Sequence, residues 1–348
     1  MVDRGVHPLF ITVAIQTYNR SSTLAETLES LRDLRRPKTT DYEILLVDNN
    51  SSDDTPQVIQ KYRGLLAPRL RGVLEPRQGL SHARNRALQE AQGQIVAFLD
   101  DDVIVDRDWL SAVAATFEEH SATVVGGRSY LIFRAPRPTW LPSHYEFFLS
   151  RLDYGDQVIV GTDRDLYGLN FSVRKEAAVQ AGGFEPSLGR CGPVSLRSGE
   201  ESDLLRKIRA CGGVAVYEPR AVVGHIVLPE RLTMKWFLRR AFAAGVDTEI
   251  LHLSDGQNAP TSSPVVHLLR CCGSLVRSVV KGEILAPVLF GKVLAISAAL
   301  GSLYACFRRF RRVLRAGNSP GLRATLPPRD QAAFLCSQRR DAAAGAPR

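Results

Sequence analysis

The sequence predicts an α/β fold, a mostly parallel sheet flanked by helices, with a helical C-terminal extension. Two observations predict the sheet. Short apolar, β-branched runs alternate with segments of helical spacing along the first two thirds of the chain, the pattern of strands joined by crossover helices. Three of those runs end in polar clusters, TYNR (17–20), VDNNSS (47–52) and DDD (100–102). In an open α/β sheet, ligands collect beyond the carboxyl ends of the strands. A third observation points to a C-terminal tail that meets an anionic surface, membrane or nucleic acid. Charge is divided unevenly: from Val265 onward there are 14 Lys/Arg against 3 Asp/Glu, whereas the whole 348-residue chain carries a net charge of +9.

Each element follows from local pattern. FITVAI (10–15) is short, apolar and β-branched, as a buried strand is. Ser21–Leu34 spaces Leu24, Leu28 and Leu31 along one helical side, with Ser21 or Ser22 placed to cap it. EILLVD (43–48) is a second strand, running into a turn-rich segment and a short helix at 55–62. GVLEP (72–76) is a third strand, and Leu80–Gln92 a helix closed by Gly93. QIVAFL (94–99) is a fourth strand leading into Asp100, Asp101 and Asp102. A helix is expected at 108–119 and a strand at 123–127. A strand and then a helix are expected within 168–184, a helix over GEESDLLRKIRACGG (199–213), and a strand at 214–219. No internal repeat is present.

Three adjacent carboxylates repel one another, so a strand end that carries them needs either solvent or a cation. Side chains alternate along extended backbone, which turns Asp100 and Asp102 the same way. Mg²⁺ or Mn²⁺ takes oxygen ligands and bridges carboxylates to substrate phosphates. The six cysteines form no CxxC pair and no zinc-type cluster with histidine. MVDRGVHPLF has no long apolar run after a basic start, so no signal peptide is expected.

VAIQTYNR, ILLVDNNSSDDT, GLSHARNRAL, VAFLDDDV, GLNFSVRKEA, GGF and GEESDLLRKI, in this order, resemble the motifs of family 2 glycosyltransferases over roughly residues 9–245. The resemblance implies a GT-A fold, with a Rossmann-like nucleotide-sugar-binding half merged with an acceptor-binding half. It implies inverting transfer from a UDP-, dTDP- or GDP-sugar with Mg²⁺ or Mn²⁺ as cofactor. By the same resemblance, Asp102 is the direct metal ligand, Asp100 the second carboxylate, and His225 a further metal or diphosphate contact. Thr17, Tyr18, Asn19, Asp48, Asn49, Arg84, Asp100 and Asp101 fall at nucleotide-binding positions, with Asn49 where many relatives carry a second acid. Glu201 matches the base that takes the acceptor's proton, with Glu200 supporting it. Gly168, Asn170, Asp203, Trp236 and Arg240 are expected around the donor sugar and the acceptor.

Acids at a helix N-terminus also serve the helix dipole, and Arg84 also reads as a structural ion pair, so both readings stay open. The N-terminal domain is placed at 1–260. The apolar run 284–307 carries Lys292 as its only charge, and its uninterrupted part, 293–307, is 15 residues. That falls short of the roughly 20 needed to span a bilayer. RRFRR follows at 308–312. Segment 261–315 therefore reads as an amphipathic or re-entrant helix on the cytosolic leaflet with its arginines on anionic lipid, or as a helix buried in a small accessory bundle, while a full span is disfavoured by Lys292 and Pro287. The first reading places the protein on the cytoplasmic side of the membrane. Residues 316–348, rich in Pro, Ala, Gly and Arg, read as a disordered basic tail. Aromatic and basic residues do not interleave as they do in nucleic-acid-binding modules, so no nucleic-acid partner is expected. The acceptor is a glycan, a glycolipid or a polyprenol-linked sugar. A sugar nucleotidyltransferase is the rival enzyme, but TYNR lacks the glycine-rich phosphate loop it needs. A non-catalytic membrane-bound scaffold of the same fold is the other alternative.

Overall fold

The computed structural model describes residues 9–317, apart from 36, 38, 193–194, 255–262 and 282–284. Nine strands form one sheet: β1 (Leu9–Thr17), β2 (Thr40–Asp48), β3 (Leu70–Leu74), β4 (Ile95–Asp100), β5 (Val103–Val105), β6 (Val124–Phe133), β7 (Ile159–Val160), β8 (Asn170–Arg174) and β9 (Ala215–Val227). Their order is β3-β2-β1-β4-β8-β6-β9-β5, with β7 beside β9. The first four strands in this order are mutually parallel, as the alternating pattern predicts. Beyond β4 the sheet turns mixed: β8 runs antiparallel to β4 and β6, β6 and β9 pair in parallel, and β5 and β7 run antiparallel to β9.

The central strands are buried on both faces, which is why they read as continuous apolar runs. Ile11, Val13 and Ile15 of β1, with Ile44 and Leu46 of β2 and Ile95, Ala97 and Leu99 of β4, face one layer. That layer holds helices α1 (Ser21–Ser30) and α4 (Trp109–Glu119), through Leu24, Leu28, Trp109 and Phe117. The alternate residues Ala14, Leu45, Val47, Val96 and Phe98 face the other layer. There α3 (Leu80–Glu90), α5 (Lys175–Gln180) and α6 (Glu200–Ala210) pack with Ala83, Ala87, Ala178, Leu204 and Ile208. Helix α2 (Thr55–Leu65) covers the β3 edge.

Two local expectations are corrected. Neither Ser21 nor Ser22 caps α1; Arg20 is the capping residue, and the Ser21 amide donates to Asp53 of the β2–α2 loop at 3.2 Å. A carboxylate from another loop satisfies that amide, so the cap cannot be read from the helix's own sequence. Asp100 ends β4 and a turn follows, so Asp100 and Asp102 do not share one extended segment.

The extension is helical, with α7 (Met234–Ser254), α8 (Pro264–Val280) and α9 (Ala286–Gly317). It shares a core with the sheet: Phe237 and Ala241 of α7 and Phe290 and Leu294 of α9 join Val227, Leu141 and Leu149. Helix α9 lies against α7 with almost no side-chain spacing. A Cβ on Gly245 would come within 1.9 Å of the Ala298 carbonyl oxygen, and one on Gly301 within 2.0 Å of the Phe242 carbonyl oxygen. Ser297 and Ser302 hydroxyls donate to the Leu238 and Gly245 carbonyls at 2.9 and 3.1 Å. Small residues at a crossing let two helix backbones approach in this way. Of the expected disordered tail, residues 318–348 lie outside the described residues; 316 and 317 end α9.

Candidate active site

A cavity of about 780 Å³ opens at the carboxyl ends of β1 and β4 and runs to the N-terminus of α6 and along α7. Thr17, Tyr18, Asn19, Asn49, Arg84, Asp100, Asp101, Asp102, Gly168, Glu200, Glu201, Trp236 and Arg240 all line it. Thirteen of the expected residues, dispersed over more than 220 positions of sequence, thus meet at one surface. Four do not line it: Asp48, Asn170, Asp203 and His225.

At the β1 end, Asn19 adopts a positive φ of 51° and ties two loops together. Its amide donates to Ser51 Oγ at 3.0 Å and its side-chain oxygen accepts from the Ser52 amide at 2.7 Å. Asp48 does not line the cavity and accepts from the Ser51 amide at 2.9 Å, which is turn chemistry. Asn49 is fully engaged as well. Its Nδ2 donates to the carbonyls of Glu75 and Arg77 at 3.0 and 2.7 Å, and its Oδ1 accepts from the Gly79 amide at 2.8 Å. Asn49 therefore fixes the β3–α3 loop while lining the cavity.

The three aspartates separate by partner. Asp102 is buried, with Oδ2 2.8 Å from Arg231 Nη2 and 3.7 Å from Arg20 Nη1, and Oδ1 3.3 Å from His225 Nε2. The β5–β9 pairing causes this arrangement: Val103 sits opposite His225, and the Ile226 amide donates to the Asp102 carbonyl at 2.8 Å. Burial pushes the Asp102 carboxyl up, but Arg231, His225 and Arg20 outweigh it and hold the group well below the ordinary carboxylate range. Asp101, buried beside it, is pushed up to about 7 by burial and then by the Asp102 charge. Asp100 faces the cavity and meets Arg84 Nη2 at 3.4 Å.

Asp102 and His225 thus come together as expected, whereas Asp100 stands apart on Arg84. Among the described residues no group of three His, Cys, Asp or Glu side chains is arranged to hold a metal. A hard cation bound chiefly by one or two carboxylates and substrate phosphates needs no such group, and the residues here suit that mode. His225 Nδ1 lies 2.6 Å from the Leu149 carbonyl, which accepts and so fixes the proton on Nδ1. His225 Nε2 faces Asp102 Oδ1 and Arg231 Nη1, at 3.3 and 2.9 Å. Arg231, with Arg20 farther off, is the positive charge that Asp102 meets in this structure.

Arg84 is a structural ion pair as well as a cavity wall. It is 2 % exposed, with Nη1 2.7 Å from Glu200 Oε1 and 3.7 Å from Glu201 Oε2. Gly168 makes room for it: a Cβ there would stand 2.3 Å from Arg84 Nη2. Helix α6 starts at Gly199, whose φ of +100° favours glycine. Glu200 then turns inward to Arg84. Burial, and next the Glu201 charge, push its carboxyl up to about 8, against the opposing pull of Arg84. Glu201 Oε2 is shielded and accepts no hydrogen bond from any described residue. Asp203 faces its own helix, paired with Arg206 and Lys207 at 2.8 and 2.7 Å. Asn170 is a buried cross-link, accepting from Trp109 Nε1 at 2.8 Å and donating to the Ala221 carbonyl at 2.8 Å.

The sequence reading missed Arg20, Gln78, Asp165 and Arg190, which also line the cavity. Arg20 was in view, directly after the Thr17–Asn19 turn. Asp165 sits in a loop with no local signal; burial and then Glu201 push its carboxyl up.

A parallel α/β half, a triplet of acids at its strand ends and a second acidic pair at a helix start thus face one cavity. Comparison with known proteins gives the family. The model for glycosyl transferase family 2 matches residues 12–180. The succinoglycan biosynthesis protein ExoM of Rhizobium meliloti is 30% identical over 238 residues, 68% of this chain and 73% of that one. The glucosyl-dolichyl phosphate glucuronosyltransferase of Haloferax volcanii is 24% identical over 258 residues, 72% and 81% of the two chains. Among solved structures, a mannosyltransferase from Pyrobaculum calidifontis in complex with GDP-Man and Mn²⁺ superposes with a TM-score of 0.53. It is 21% identical, over 96% of this chain and 86% of that one. The chain belongs to glycosyl transferase family 2 and is a glycosyltransferase of the GT-A fold.

Proposed function

We propose that the protein is an inverting glycosyltransferase that moves a sugar from a nucleoside-diphosphate sugar to a glycan, glycolipid or polyprenol-linked acceptor at the cytoplasmic face of a membrane, with Mg²⁺ or Mn²⁺. One observation carries the reading: a single cavity joins the β1 and β4 ends, with Asp100, Asp101 and Asp102, to Glu201 at the head of α6. Donor and acceptor chemistry need those two poles in one enclosure. The nucleotide lies along Thr17, Tyr18, Asn19 and Gln78, and its diphosphate lies beside the triplet. The Mn²⁺ in the Pyrobaculum neighbour supports a divalent cofactor. Asp102 and Asp100 would hold it with diphosphate oxygens, His225 Nε2 standing behind Asp102. When bound, the cation offsets negative charge gathering on the leaving diphosphate.

This chain's residues supply the rest. Glu201 takes the proton from an acceptor hydroxyl as its oxygen attacks the anomeric carbon, on the face opposite the diphosphate. The bond from that carbon to the diphosphate oxygen breaks, and the configuration inverts. Glu200 holds Arg84, which in turn sets Glu201 and Asp100. Arg20 and Arg231 are already positioned for phosphate charge.

Membrane association rests on α8 and α9. Residues 286–309 include an 18-residue apolar window of mean hydropathy 1.7, of which only 22% is buried. Helix α9 is packed along α7, and α7 lines the catalytic cavity, so a spanning α9 would carry that polar cavity into hydrocarbon. An orientation along the bilayer surface keeps the cavity in water, with Arg308, Arg309 and Arg311 toward anionic headgroups.

The test is thermal stabilisation by a panel of UDP-, dTDP- and GDP-sugars with and without Mn²⁺. One donor at a hundred times its Kd should add about 2.7 kcal/mol to stability, and Mn²⁺ should strengthen that shift. No stabilisation by any nucleotide sugar would refute the reading.

A further inference from the structure

Beside the catalytic cavity lies a second hollow of about 390 Å³, walled by Leu196, Leu238, Arg239, Phe242, Ala243 and Ser297. Leu196 and Arg239 line both spaces, so the two share a wall. The junction is on the α7 side, with Glu201, Ser198 and Arg240, and away from the Thr17–Asn49 end. A molecule reaching from the cavity into this groove is therefore attached to the acceptor and not to the nucleotide.

The α9 side of the groove is Ser297. Positions 293, 297, 300 and 304 fall on one stripe of a helix. Val293, Leu300 and Tyr304 are exposed, and Tyr304 touches Phe242 with ring centres 5.7 Å apart. The stripe continues to exposed Phe307 and then to Arg308, Arg309 and Arg311. From Glu201 outward the surface thus presents a cationic wall at Arg239, an apolar groove beyond it, and an apolar helix face with a basic end. A hydrophilic glycan gains nothing from the last two parts. A hydrocarbon chain joined to a phosphate fits them in that order, chain along the groove and phosphate at Arg239.

We propose that this groove binds the hydrocarbon tail of a lipid-phosphate-linked acceptor, drawn from the bilayer along α9. The inference rests on the glycosyltransferase reading above and narrows its acceptor to the lipid-linked class.

The test uses the full chain in phosphatidylcholine nanodiscs, with Ser297→Cys as a reporter labelled by a maleimide and read at that peptide by mass spectrometry. Undecaprenyl phosphate should slow labelling about tenfold, equivalent to about 1.4 kcal/mol of protection. Geranyl phosphate and inorganic phosphate should slow it much less. Adding Ala243→Phe, which fills the groove, should abolish the protection while nucleotide-sugar binding stays at the wild-type level. Labelling unchanged by undecaprenyl phosphate, in protein that still binds its nucleotide sugar, overturns the proposal. Equal protection by phosphatidylglycerol also overturns it, because the groove would then be a bulk-lipid contact. Loss of nucleotide-sugar binding in the wild type would instead refute the glycosyltransferase reading itself.

Discussion

Arg84 Nη1 lies 2.7 Å from Glu200 Oε1, in a pocket where both side chains are almost wholly buried. The same guanidinium reaches Asp100 at 3.4 Å and Glu201 at 3.7 Å. One cation therefore joins the triplet at the β4 end to the acids at the head of α6, and the distance between the two halves of the site depends on it.

Gly168→Ala tests this dependence without removing a charge. The new Cβ would stand 2.3 Å from Arg84 Nη2, so the guanidinium must shift. Displacing a positioned group by about 1 Å can cost about a hundredfold in rate, so kcat should fall by that order while donor Kd stays nearly constant. A wild-type kcat in a correctly folded variant would show that Arg84 does not set the geometry.

Glu200 makes stability pH-dependent in a definite direction. Its carboxyl is pushed up to about 8 in the folded protein, from an ordinary value near 4.5. Below about 4.5 both states hold the proton. As pH rises toward 8 the unfolded chain releases its proton and the folded chain keeps it, so this group contributes a loss of stability over that window. Glu200→Gln removes the titration. The stability difference between variant and wild type, from urea melts between pH 5 and 8, should move in the variant's favour as pH rises. A constant difference would contradict the assignment.

Asp102→Asn should be costly even without substrate. It leaves Arg231 and Arg20 facing a neutral amide, and breaking a buried ion pair costs roughly 3–5 kcal/mol. Equilibrium unfolding checks this, and donor affinity should fall in parallel. A loss under 1 kcal/mol would mean that Asp102 is well solvated.

Gly301→Leu tests whether α9 is fixed to the catalytic domain. Its side chain would meet the Phe242 carbonyl oxygen, a backbone atom that cannot rotate away. Overpacking of this kind costs about 1–3 kcal/mol. The variant should melt earlier and should be cut faster by protease within α9. An unchanged melt would show that the α7–α9 contact is loose.

Much of this was legible in the sequence for a physical reason. The parallel half of the sheet is buried on both faces, so β1, β2 and β4 appear as plain apolar runs, and their strand ends carry the polar clusters that line the cavity. What stayed hidden depends on pairings between distant segments. Asn49 and Asp48 also hold the β3–α3 loop and the Ser51 turn, contacts that no local pattern records. Asn170 lies within a recognisable motif but spends its amide on Trp109 and Ala221. The short strand β5 is three residues, and only its pairing with β9 brings His225 and Arg231 to Asp102. The antiparallel turn of the sheet beyond β4 follows from contacts that no local pattern records.

The most direct test of the central claim is transfer by Glu201→Gln, measured beside donor binding with Mn²⁺ present. Gln keeps the shape of the side chain but cannot take a proton, so transfer should fall by about a hundredfold to ten-thousandfold while donor affinity holds. Transfer at the wild-type rate, with donor still bound, would contradict Glu201 as the base and with it the two-pole cavity proposed here.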